Sequence, residues 1–182
     1  MNRKSNLRLS VSLMGSIVIA CIFSVIVLAT LTGLLQYGAG VALVQAINLL
    51  VLYVFVYLQM WHVGERDINY VQTGHIKADR YSGLKIGLIA MTVLYLPVVL
   101  IIIGMIQQNQ ILIAVFRLIC AVFYGFHSLL LPVMVENFTV LNVLLVLIPP
   151  LVVPAISLLA YYLGNHRISL LTHLIYKNKK KK

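Results

Sequence analysis

The residues able to do chemistry gather in one polar interval, Trp61 to Gly87: W-H-V-G-E-R-D-I-N-Y-V-Q-T-G-H-I-K-A-D-R-Y-S-G-L-K-I-G. It holds three of the four carboxylates, Glu65, Asp67 and Asp79. It also holds the cations Arg66, Lys77, Arg80 and Lys85, and two of the five histidines, His62 and His75. Three chemistries can be written for this set. Two carboxylates held together away from water would serve acid–base catalysis, and Asp67 and Asp79 can approach across a turn at Gly74, with His75 nearby. A metal would want histidine and carboxylate at ligand spacing. His62 and Glu65 are three apart, and His75 and Asp79 are four apart, on one face if the segment is helical. A phosphate or lipid headgroup would want clustered cations beside flexible backbone, which Arg66, Lys77, Arg80 and Lys85 supply.

The spacing favours none of the tight catalytic patterns. There is no H-E-x-x-H, no phosphate loop, no G-x-S-x-G elbow and no Cys/His pairing in polar context. The interval resembles the aspartate- and glycine-bearing loop of CDP-alcohol phosphotransferases. It lacks their ordered D-G-x-x-A-R start and closing aspartate pair, so no function is carried over. No metal and no cofactor are expected. The simplest expectation is a salt-bridged cytoplasmic hairpin over 62–83, in which Glu65, Asp67 and Asp79 pair with the four cations. Those cations remain the candidate headgroup- or partner-binding set.

The elements that must carry this interval are apolar. Of 182 residues, 62% are hydrophobic and 10% charged, and the mean hydropathy is +1.01. Soluble domains carry about 25% charged residues, so lipid must cover this surface. The expectation is an all-α integral membrane protein, one polytopic helical bundle. Helices are expected at about 11–35, 41–61, 84–106, 111–135 and 139–164, with a basic tail over 165–182. The first run is longer than a signal-peptide core and is expected to stay as an uncleaved span.

Within these runs, Gln45 and Asn48 share a helical face and predict hydrogen bonds to a neighbouring helix. Tyr53, Tyr57 and Trp61 fit an interfacial aromatic belt. Gly83 and Gly87 predict close approach of another helix. Pro97 predicts a kink, and Pro149, Pro150 and Pro154 predict a bent or broken last helix. Arg117, Tyr124 and His127 fall near one face of 111–135, which puts Arg117 and His127 at membrane depth. Cys21 and Cys120 lie in apolar runs and read as buried thiols.

Net charge is +10, but the cations sit at the ends of apolar runs, as the positive-inside rule expects, and no nucleic-acid partner is expected. Three cations lie in the N-terminal tail, four in the polar interval and six in the C-terminal tail, and Arg117 is the fourteenth. An even number of crossings keeps all but Arg117 on one side. An arginine at mid-membrane costs roughly 2.5–3.5 kcal/mol, which makes 111–135 the weakest crossing. Four spanning helices plus one re-entrant or interfacial helix are therefore expected, with five spans as the alternative. Both termini would face the cytoplasm from a plasma membrane. Residues 166–176 have amphipathic spacing, and the terminal lysines would add affinity for anionic lipid.

The leading function is then a non-enzymatic membrane subunit or accessory protein that docks a membrane-protein partner or a second copy. A small oligomeric transporter or channel follows from Arg117, His127 and the broken last helix. A lipid-modifying enzyme working through Asp67, His75 and Asp79 is the third class.

Overall fold

The computed structural model describes residues 5–75, 77 and 79–168, and helices with their connecting turns account for all its regular structure. Helix α1 spans Asn6–Thr30, α2 Gly38–Gln72, α3 Ser82–Ala90, α4 Thr92–Tyr95 and α5 Val98–Gln107. Then come α6 Gln110–Ile119, α7 Tyr124–Leu130, α8 Val140–Val146 and α9 Val152–Asn165. Four stretches are long and apolar enough to cross a membrane: Asn6–Thr30, Gly38–Gln72, Ser82–Gln107 and Val140–Asn165. Their outward faces carry large apolar side chains such as Ile22, Leu50 and Ile106, a surface that suits lipid. The terminal lysines and most of the amphipathic 166–176 segment lie outside the described residues.

Local chemistry explains most boundaries. The Ser5 hydroxyl caps α1 by accepting from the Arg8 amide at 3.3 Å. Pro97 stands at the N-cap of α5, breaking the third span where expected, and Pro149–Leu151 form a 3₁₀ turn between α8 and α9. Gly74, at φ +74, ends α2. Its amide donates to the Val71 carbonyl at 3.1 Å and the next amide, of His75, to Tyr70 at 2.9 Å.

Helix α1 runs five residues earlier than expected at each end, Asn6–Thr30 against 11–35, and a 3₁₀ turn follows it over Thr32–Gln36; the boundary of α2 departs further. Helix α2 does not stop at Trp61 but continues to Gln72, so most of the expected hairpin 62–83 is helix. The reason is packing. Gly64 of α2 and Gly164 of α9 face each other so closely that a Cβ on either would collide with the other helix's backbone, at Tyr161 and Trp61 respectively. Partnered by α9, polar residues that would fray alone stay helical. At about 1.5 Å per residue, the eleven residues past Trp61 carry α2 roughly 16 Å beyond its apolar stretch.

Helix α3 packs on the same end of α9, and its Gly83 and Gly87 do what their spacing predicts. A Cβ at Gly87 would lie 2.7 Å from the Pro154 Cα, and one at Gly83 2.5 Å from the Tyr161 Cβ. Helix α1 joins α2 through Gln59, which donates to the Ser12 hydroxyl at 2.7 Å and accepts from Ser16. The start of α1, the end of α2, the start of α3 and the end of α9 thus meet at one polar end. Their shared core includes Leu13, Val56, Met60, Ile86 and Ala160. Tyr57, expected in an outward belt, belongs to this core and is 5% exposed. The Trp61 indole donates to the Ile168 carbonyl at 2.8 Å.

The other end is built differently. The run 111–135 is not one helix: it breaks after α6 and turns by 88° into Ala121–Leu130. Arg117 and His127 therefore do not share a helical face. Gln110 closes this elbow, donating to the Val133 carbonyl at 2.7 Å and accepting from the Val135 amide at 3.0 Å. The chain returns to the place it left. The backbone groups exposed by the bend are taken up by side chains from elsewhere. Gln45 donates to Val122 at 3.1 Å and accepts from the Gly125 amide at 2.8 Å, and Asn48 donates to Ala121 at 3.1 Å. Arg117 donates to Pro132 at 2.6 Å and Asn142 to Leu130 at 2.8 Å. Ile101, Ile113, Phe116 and Val146 form the second core beneath it.

Candidate functional site

The polar end is assembled from three segments: the last turns of α2, the described residues of the link (73–75, 77 and 79–81), and the last turn of α9. The Gly64–Gly164 contact lets α2 and α9 press together and brings Asp67 against Tyr161. Asp67 is 1% exposed, and the Tyr161 hydroxyl donates to its Oδ2 at 3.1 Å. A carboxylate taken out of water needs such donors. Asp67 therefore ties one helix to another instead of facing a ligand.

The other two carboxylates are engaged elsewhere. Glu65 meets the His62 ring at 3.7 Å on the outer side of α2. Asp79 accepts from the Lys85 ammonium at 2.8 Å and from the Tyr81 amide at 3.0 Å, which fastens the link to the start of α3. Of the expected salt-bridged hairpin, then, the Asp79–Lys85 pair is formed, whereas Glu65 takes a histidine and Asp67 a tyrosine. His75 lies past the end of α2, stacked on Tyr70 with centroids 6.4 Å apart. It shares no helical face with Asp79, because the helix has already ended. Among the described residues no group of three or more His, Cys, Asp or Glu is placed to hold a metal.

Beside these contacts opens a cavity of about 460 Å³ between the three segments, lined by Lys77, Asp79, Arg80, Asn165, His166 and Arg167 together with the end of α2. A smaller hollow of about 250 Å³ adjoins it through Arg80, Asn165 and His166. Of the four expected cations, Lys77 and Arg80 reach this cavity. Lys85 is taken by Asp79, and Arg66 lies half-buried along α2, outside the lining.

Arg167 completes the set. Its Nη2 donates to Asn69 Oδ1 at 2.6 Å and Gln72 Oε1 at 3.2 Å, so the guanidinium is held across the end of α2 by two neutral oxygens. Its backbone stands at φ 55, in the left-handed region. There its amide donates to Gly164 at 3.0 Å and the Ile168 amide to Leu163 at 3.0 Å, closing α9 with the motif that usually takes glycine. Asn165, His166 and Arg167 stand outside the expected site set. The only sequence signal for them is a polar cluster directly after the last apolar run.

Arg117 and His127 are remote from this end. Arg117 serves the elbow through Pro132, and His127, 1% exposed, packs between Phe116 and Phe123 at 4.9 and 6.2 Å. Comparison of the chain with protein-family models, with curated proteins and with solved structures finds no match in any of the three.

Proposed function

We propose that this chain is a non-enzymatic multi-pass membrane protein, a subunit or accessory of a larger assembly, with its polar end as the docking platform. It crosses the plasma membrane four times, and 110–135 dips in and returns as a re-entrant elbow. Both termini then lie in the cytoplasm with the polar end. The topology is supported by Gln110, which bonds both Val133 and Val135 and so brings entry and exit together. Irregular backbone is tolerated at membrane depth only where protein satisfies it, and Gln45, Asn48, Arg117 and Asn142 satisfy it here.

The docking role is carried by one observation: each carboxylate of the polar end has a separate structural contact, while Lys77, Arg80 and Arg167 converge on one cavity. General acid–base catalysis needs a side chain within hydrogen-bond reach of the substrate proton it moves. Here Asp67 joins two helices, Glu65 pairs within α2, and Asp79 lines the cavity bridged by Lys85, while Lys77, Arg80 and Arg167 meet the open space.

Mild-detergent purification at native expression, with mass spectrometry of what copurifies, tests this reading. A stoichiometric protein partner supports it. A lone chain that turns over lipid, with activity abolished by joint replacement of Asp67, His75 and Asp79, contradicts it.

The bent elbow favours a second reading, a small oligomeric channel or transporter, since broken helices at membrane depth line many substrate paths. Solute or ion flux in vesicles containing this protein alone would move the weight to it.

A further inference from the structure

We propose that the cavity at the polar end binds a phosphate ester anion, the headgroup phosphate of an acidic lipid, through Arg80, Arg167 and Lys77. The inference rests on that end being a docking platform and names what it takes first. Three observations converge.

The first is charge. The cavity carries three formal cations and one carboxylate, and that carboxylate, Asp79, is bridged by Lys85 at 2.8 Å. Two helices end here and one begins. Their terminal dipoles leave about half a negative charge, against an excess of whole positive charges. The field inside the cavity is therefore positive.

The second is the state of Arg167. A guanidinium offers five donors in a fixed fork suited to phosphate. Asn69 and Gln72 accept from one terminal nitrogen and carry no charge, so they orient the fork without neutralising it. An arginine that only anchored the helix end would be better served by a carboxylate.

The third is backbone conformation. Arg167 holds φ 55 at a helix terminus where glycine would be unstrained. The left-handed region disfavours a residue bearing Cβ. Strain kept at such a place points to use of the side chain.

Geometry selects the class of ligand. Arg80 and Arg167 come from different segments, the link and the end of α9, and Lys77 adds a mobile point charge. Gly83 and Gly87 hold α3 down on α9, so Arg80, two residues before α3, is carried in against the end of α9. The cavity adjoins Tyr161 and Asn165, where the apolar run of α9 ends, within reach of a lipid headgroup whose acyl chains would run along that helix.

The test uses Trp61, the single tryptophan, whose indole donates to the carbonyl of Ile168, the neighbour of Arg167. The full-length chain is placed in phosphatidylcholine nanodiscs and titrated with dihexanoyl phosphatidate and, separately, with inorganic phosphate, following Trp61 emission. The proposal predicts a saturable change with the phosphatidate. Its affinity falls about tenfold or more in the Arg80→Gln, Arg167→Gln double variant, the loss expected from removing charge-assisted hydrogen bonds. It is kept when Lys179, Lys180, Lys181 and Lys182 are all replaced by glutamine. Equal saturation by inorganic phosphate assigns the site to the free ion instead of the lipid. No saturable response of the wild-type chain to either probe overturns the proposal, and so does a response abolished only by the tail replacements. Neither result touches the membrane topology or the protein partner, which are read by separate measurements.

Discussion

At the scale of single residues, the ionisable groups of the polar end divide between those that make structural contacts and those that line the cavity. Asp67 is of the first kind: it is almost wholly buried, and Tyr161 donates to it from another helix. Replacing Tyr161 by phenylalanine removes a donor from a buried carboxylate. Unfolding in detergent should show a loss of about 1–3 kcal/mol, whereas the same change at the exposed Tyr162 should cost little. An unchanged melting temperature for Tyr161→Phe would mean that the Tyr161–Asp67 bond does not hold α2 to α9. The sequence placed three of the four carboxylates between Trp61 and Gly87 and offered four cations there, of which Lys77 and Arg80 line the cavity. It could not show which carboxylate would be buried, because that depends on Tyr161, ninety-four positions away. Nor did it mark Arg167, whose role rests on Asn69 and Gln72 standing within reach and on a left-handed backbone.

At the scale of elements, two contacts decide the architecture. The first is the pair Gly64 and Gly164. A Cβ at either position collides with backbone of the opposing helix, which cannot yield as a side chain can. Gly64→Leu should therefore part α2 from α9 and lower the detergent melting temperature sharply. Gly15→Leu, with nothing within 4 Å of its Cβ, should leave it unchanged. If Gly64→Leu melts like the wild type, the extension of α2 past Trp61 does not depend on α9.

The second contact is Gln45 with the elbow, where one side chain serves the Val122 carbonyl and the Gly125 amide. Gln45→Leu strands two buried backbone groups and should cost about 1–3 kcal/mol. Gln59→Leu, whose partners are the hydroxyls of Ser12 and Ser16, should cost about 0.6 kcal/mol. Equal losses would mean that the elbow does not rely on Gln45. Apolar runs and prolines made the four long helices and the Pro97 break legible. The 88° turn at Cys120 was not legible, since no proline or glycine marks it and its stability comes from α2. The same dependence hid the true end of α2: its polar residues look like a loop until α9 is placed beside them.

At the scale of the whole molecule, the proposed four-span topology rests on charge and on the bent elbow. Counting cations favours an even number of crossings, and the elbow supplies the physical means, a helix pair closed by Gln110 and lined by side chains that satisfy its backbone. The five-span alternative would carry 136 to the face opposite 108 and the C-terminus to the face opposite the N-terminus. The most direct measurement is labelling of single cysteines in sealed, oriented vesicles with a membrane-impermeant maleimide. Cys21→Ala and Cys120→Ala give the background, and Gln108→Cys, Glu136→Cys and His75→Cys are tested one at a time. The account predicts that positions 108 and 136 label from the same face and position 75 from the other. Labelling of 108 and 136 from opposite faces would contradict the proposed re-entrant elbow, and with it the four-span topology.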